Sequence, residues 1–118
     1  RTKNDLYMNG PEIFNFTIKA IPPLINRTLE KNNLSYEEID YFIFHQANKY
    51  MLDYLRKKIK IPIEKFYNNM QETGNTVSAT IPIALKDCLE NGTVKEGDKV
   101  LLCGFGVGYS WGATILKI

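Results

Sequence analysis

The chain has 118 residues, 44% of them hydrophobic and 24% charged, with a formal net charge of +2. That length supports one domain with its own core. The charged fraction argues against disorder, and so small a net charge gives no ground for nucleic-acid binding. No stretch approaches the ~20 apolar residues of a membrane span. The sequence opens at Arg1 with no methionine and no signal-peptide pattern, so it reads as an excised segment that something preceded.

Residues 6–8 suit a short strand, Asn9-Gly10 a turn, and Pro11 the first position of a helix. Phe14, Ile18, Ile21, Ile25 and Leu29 then recur at helical spacing, a core-facing stripe. Pro22-Pro23 predicts a kink or an interruption in that helix, and Asn32-Asn33 ends it. Ser35 and Glu38 fit a capping box over one short turn. Residues 41–44 form an apolar, β-favouring run suited to a strand covered on both faces in a parallel sheet. The end of that run delivers His45.

A second amphipathic helix is predicted over 47–59. Met51, Leu52, Leu55 and Ile59 share one face, and Arg56, Lys57, Lys58 and Lys60 make a basic end that suits the helix dipole. Pro62 stops it. Residues 66–70 suit a strand and Gly74-Asn75 a loop. A third helix is expected over 77–90, with small residues Ser78, Ala79, Thr80 and Ala84, Pro82 tolerated near its first turns, and an Asn91-Gly92 cap. Glu96-Gly97-Asp98 makes a turn. Strands over 99–105 and 110–118 flank Gly106-Val107-Gly108 and are close enough to pair as antiparallel neighbours. The order β, α, β, α, β, α, β, β argues for an α/β fold with helices packed on the faces of a sheet. The two cysteines, Cys88 and Cys103, have no metal-ligand spacing. They read as buried free thiols in a reducing cytosol, and no metal is expected.

Two motifs carry the chemistry. FHQAN, residues 44–48, contains the only histidine; TGNTVSAT, residues 73–80, contains Asn75. Each follows a strand-like segment and precedes a helix-like one, and ligands in α/β folds favour the carboxyl ends of strands. A neutral imidazole N–H and an amide N–H aimed at one carbonyl oxygen would stabilise an enolate or oxyanion. Taken singly, a lone histidine is usually a surface or satisfied core residue, and an asparagine before a helix an ordinary turn residue. A third segment, LLCGFGVGYSWGA over 101–113, places a glycine-rich turn between strands; alone it reads as a hairpin turn.

In this order and spacing the three segments resemble the C-terminal half of β-ketoacyl-acyl-carrier-protein synthase III, a condensing enzyme of the thiolase superfamily. That family carries HQAN, then GNTSAAS, then an FGGGFTWG-like segment. The resemblance runs through essentially the whole chain, from LYMNGPEIF at residue 6. It implies that residues 1–118 are a thiolase-like C-terminal domain, one of two similar halves of a five-layer α/β/α/β/α fold. The partner half is absent from this sequence. The helix over 77–90 would then lie between two sheets, leaving Ala79, Ile83 and Ala84 in the isolated chain partly exposed or covered by another copy.

The resemblance also implies a cytoplasmic acyltransferase that works as a homodimer, without cofactor, on acyl-coenzyme A and malonyl-acyl carrier protein. A cysteine at a helix N-terminus takes the acyl group. The malonyl thioester loses carbon dioxide, and the resulting carbanion attacks the acyl-enzyme. His45 and Asn75 match the histidine and asparagine whose hydrogen bonds hold the thioester oxygen in its enolate-like state. The nucleophile matches neither Cys88 nor Cys103, so the chain alone is expected to be inactive. Val107 matches the backbone donor of the oxyanion hole; it stands where the family often has glycine. Asn48, Phe105 and Gly106 match substrate-binding positions. Arg56, Lys57 and Lys58 match a docking region for the acidic acyl carrier protein, where the charge contrast would steer encounter; a solvated helix end is the plain alternative. Asn15 and Tyr50 stand where a docking lysine and an arginine are expected. Transfer to an oxygen or nitrogen acceptor, and a non-catalytic scaffold on the same fold, stay open at this point.

Overall fold

The computed structural model describes residues 10–46, 49–68, 80–106 and 110–118. Its elements are α1 (Gly10–Lys31), β1 (Tyr41–Phe44), α2 (Lys49–Ile59), α3 (Thr80–Glu90), β2 (Lys99–Gly106) and β3 (Ser110–Lys117), with 3-10 turns at Tyr36–Glu38 and Ile63–Lys65. The sheet runs β1-β2-β3. β1 pairs with β2 in parallel and β2 with β3 antiparallel, so the sheet is mixed. The expected strand at 66–70 is represented by a single parallel bridge, Phe42 to Phe66, and by the Tyr67 N–H donating to the Phe42 carbonyl at 3.0 Å. Residues 69–70, like the strand expected at 6–8, lie outside the described residues.

Alternating residues of the sheet face opposite ways, and this sorts the core into two clusters. Phe42 and Phe44 of β1 and Leu101, Cys103 and Phe105 of β2 face α1 and α2, where they meet Ile21, Ile25, Leu29, Met51, Leu52 and Leu55. Ile43 and Val100 face the other way, onto Ala84 and Cys88 of α3, with Tyr67 and Val94. The helical stripes expected in α1 and α2 are the ones buried: Phe14 and Ile18 pack against the first cluster, and Ile59 closes the α2 end. Both thiols are free and buried. Burial pushes Cys88 up to about 11 and Cys103 up to about 12.

The double proline does not interrupt α1, which runs on through Pro22 and Pro23. Each proline lacks a backbone donor. Ile21 and Ile25, fully buried on either side, hold the turns in place through side-chain packing. The helix ends as expected at Asn33, whose φ of 55° opens the left-handed cap. Leu34 N–H donates to Leu29 O and Asn33 N–H to Glu30 O, the paired bonds that satisfy a helix's last carbonyls. The Glu38 carboxylate accepts the Ser35 backbone N–H and hydroxyl at 3.2 Å each.

The register that places the site is set at the far end of the sheet. Asp40 N–H donates to Lys99 O at 2.9 Å, and Lys99 N–H donates to the Asp40 carboxylate at 2.8 Å. With that start locked, Phe44 lies opposite Cys103. His45 leaves β1 one residue later, its N–H donating to Cys103 O at 2.8 Å.

Candidate active site

His45 sits just past the carboxyl end of β1, as the order of elements predicts. Among the described residues three contacts fix it. Its backbone is tied to β2 through Cys103 O. Its ring stands perpendicular to that of Phe105, with centroids 5.4 Å apart and planes at 87°. Its Nδ1 lies 2.7 Å from Thr80 Oγ1, so the histidine bridges β1 and the first turn of α3. Burial lowers its pKa below the usual 6.5, because taking the imidazolium out of water disfavours the charged form. At neutral pH the ring is uncharged and carries one N–H.

Gln46 is buried behind it. Its amide donates to Phe44 O at 2.8 Å and to Tyr67 O at 3.5 Å, bracing the turn out of β1. Tyr67 in turn donates its hydroxyl to Asp87 of α3 at 3.0 Å. Thr80, Gln46 and Tyr67 are positional partners that the motif reading missed. Thr80 stands inside the TGNTVSAT motif, but only as a small residue for close packing. Its contact with His45 is long-range, and no local pattern signals it.

Of the other expected site residues, Phe105 is buried beside His45. Gly106 ends β2, and a Cβ placed there would meet nothing within 4 Å, so its backbone borders open space. Asn75, Asn48 and Val107 lie outside the described residues. The basic end of α2 is divided. Lys57 and Lys58 are exposed. Arg56 is half-buried and donates from Nη1 to Ile61 O at 3.1 Å, just past the end of α2. Lys60 takes the left-handed conformation, φ 67°, as the chain turns off α2. Asn15 is exposed. Tyr50, also exposed, has its ring 5.7 Å from that of Phe14. Among the described residues no group of three His, Cys, Asp or Glu side chains could hold a metal ion, and no helix is long and apolar enough to cross a membrane.

The family model described as 3-oxoacyl-[acyl-carrier-protein (ACP)] synthase III C terminal matches residues 29–118. The chain belongs to this family. Beta-ketoacyl-[acyl-carrier-protein] synthase III of Clostridium perfringens is 45% identical over 117 residues, covering 99% of this chain and 36% of the relative. The enzyme of the same name from Lactococcus lactis is also 45% identical, covering 98% of this chain and 36% of its own length. Among solved structures, a 3-oxoacyl-(acyl-carrier-protein) synthase III superposes with a TM-score of 0.95 at 47% identity, over 100% of this chain and 35% of the other. The synthase III of Thermus thermophilus superposes with a TM-score of 0.93 at 40% identity, over 99% and 36%. The fold is that of the C-terminal part of these thiolase-like synthases. The chain spans about a third of the length of the curated relatives it matches.

Proposed function

We propose that the chain supplies the His–Asn part of a condensing site, in a protein that joins an acyl thioester to malonyl-acyl carrier protein with loss of carbon dioxide. The observation that carries this reading is His45. It is neutral, half-buried, held at a strand's carboxyl end, and flanked by the perpendicular Phe105 ring and the Thr80 hydroxyl. A neutral imidazole is a donor that adds no charge of its own to the site.

In the proposed reaction the C–C bond to the carboxylate breaks and carbon dioxide leaves. Its electron pair moves into the thioester as an enolate, whose oxygen accepts hydrogen bonds from His45 Nε2–H and the Asn75 amide. The enolate carbon then attacks the acyl thioester carbonyl, and the enzyme's thiolate departs as the new C–C bond forms. The thiolate comes from outside these 118 residues; Cys88 and Cys103 are buried thiols with raised pKa values, unsuited to that task. One well-aimed donor in a site that excludes water is worth about 3–4 kcal/mol. The Val107 N–H serves the other carbonyl, that of the acyl group, and Asn48, Phe105 and Gly106 line the substrate's path. The carrier protein docks on the exposed Lys57 and Lys58, with Arg56 contributing what its bond to Ile61 leaves over. The same reading places the working protein in the cytoplasm as a homodimer.

The test separates the half-reactions in the complete synthase. His45→Ala should lower malonyl decarboxylation by about a hundred-fold or more and leave acyl loading of the nucleophile nearly intact. Equal loss of both would sink the assignment. The 118-residue chain alone, given acetyl-coenzyme A and malonyl-acyl carrier protein, should show no turnover.

A further inference from the structure

A neutral imidazole has one N–H and one lone pair, and the condensing role needs the N–H on Nε2. Some group must therefore hold the lone pair on Nδ1. Thr80 is the residue within reach: its Oγ1 is 2.7 Å from Nδ1, and it is only 3% exposed. A hydroxyl can donate or accept, so the distance alone does not assign the proton.

Two features of the fold do. First, Thr80 lies in the N-terminal part of α3 as described, and the N-terminal end of a helix carries partial positive charge. That potential favours a lone pair over an N–H on the nitrogen facing it. Second, a helical threonine ordinarily donates its hydroxyl back to the carbonyl four residues earlier, as Thr28 does to Leu24 O at 2.8 Å. Thr80, only 3% exposed, makes its described side-chain contact with the imidazole. The buried hydroxyl must still be satisfied, and the described partner is the ring nitrogen.

We infer that Thr80 donates its hydroxyl proton to Nδ1 of His45 and so keeps the ring's own proton on Nε2, which makes Thr80 a positioning residue for the reaction. This inference rests on the proposed condensing role of His45, but the tautomer can be read without any turnover. A threonine or a serine can do this; alanine or valine cannot. The contact also ties the β1 end of the site to α3.

The experiment is long-range proton–nitrogen correlation NMR on the whole protein, histidine rings labelled with ¹⁵N, at a pH where the ring is neutral. The His45 signals are assigned by their loss in His45→Gln. The expected pattern is a lone-pair-type shift for Nδ1 and a protonated-type shift for Nε2. Thr80→Val should give a mixture of tautomers, and Thr80→Ser should restore the single one. In the complete synthase Thr80→Val should lower kcat for malonyl decarboxylation about ten- to hundred-fold, the range seen when a metal-bound histidine loses its orienting partner, with KM and acyl loading little changed, and Thr80→Ser should recover it. A proton on Nδ1 in the wild-type protein overturns the inference, as does a Thr80→Val spectrum identical to wild type. Should Thr80→Val fail to fold, the wild-type tautomer decides alone. If the tautomer is as inferred but His45→Ala leaves decarboxylation intact, the condensing assignment fails and the hydrogen-bond assignment stands.

Discussion

The two faces of the sheet are unequal. On the α1/α2 face, two helices lay Ile21, Ile25, Leu29, Met51, Leu52 and Leu55 against aromatic and leucine side chains, all buried. On the other face, α3 offers small residues, Ala84 and Cys88, to Ile43 and Val100. Its outer side leaves Ile83 37% and Leu89 45% exposed. Ala84 is buried against the sheet where partial exposure was expected, because it lies on the stripe of α3 that faces inward with Thr80 and Cys88; Ile83 is exposed as expected, and Ala79 is outside the described residues. Among the described residues most of the burial is therefore on one side of the sheet, while His45 reaches Thr80 on the other. A site resting on the less deeply packed layer can rearrange without opening the main core.

That contrast breaks first in the core. Leu52→Ala should destabilise the chain by about 3 kcal/mol, the usual cost of truncating a fully buried leucine. Ile43→Val, facing α3, should cost about 1 kcal/mol or less. Urea midpoints measure both, and an Ile43→Val loss equal to that of Leu52→Ala would mean the α3 face carries as much stability as the other.

Tyr67→Phe removes the hydroxyl bond to Asp87 and should cost about 1 kcal/mol. Its effect should fall on α3 selectively, as faster amide exchange over 80–90 with little change in α1. Uniform acceleration across both helices would show that the two faces open as one unit.

The thiols report the same asymmetry through chemistry. Alkylation needs the thiolate, and burial raises Cys88 to about 11 and Cys103 to about 12. Both should react slowly at pH 8 and faster as pH rises. Cys88 should react first, since it lies on α3, whereas Cys103 is locked in the central strand. Peptide mapping after timed iodoacetamide labelling gives the order; Cys103 reacting first would reverse the ranking of the faces.

The smallest expected effect is the pH dependence from His45. Its folded pKa lies below 6.5, so the unfolded chain binds the proton more readily and ∂ΔG/∂pH is positive across that interval. The contribution is fully present above about pH 6.5 and is lost as pH falls through the lower folded value. Urea midpoints of wild type and His45→Gln from pH 7 down to 5 should converge or cross in that window. A wild-type curve parallel to that of His45→Gln would show no such linkage.

Much of the fold can be read along the chain, because its signals are local. The spacing of Ile21, Ile25 and Leu29 marks a helix face, the run at 41–44 a covered strand, and Asn32-Asn33 the end of the first helix. These depend on neighbours within a turn or a pleat. The proline pair does not interrupt the helix: its local cost is real, but Ile21 and Ile25 are held by partners distant in sequence. The strand at 66–70 is similar, since its pairing depends on β1 offering an open edge, of which the described residues use only the bridge at Phe66.

The sequence by itself determined the α/β class, the helix stripes, the antiparallel closing pair and the placement of His45 at a strand's end, since periodicity and capping are properties of short stretches. Its motifs also carried the family resemblance. Only the tertiary structure decided which nitrogen of His45 meets Thr80, that Phe105 stands across the imidazole, and that Arg56 is turned to Ile61 while Lys57 and Lys58 stay in solvent. Burial, pKa and hydrogen-bond partners depend on segments brought together by the sheet. His45 and Thr80 are 35 residues apart along the chain and 2.7 Å apart between Nδ1 and Oγ1, because packing α3 on β1 closes a distance to which no local pattern refers.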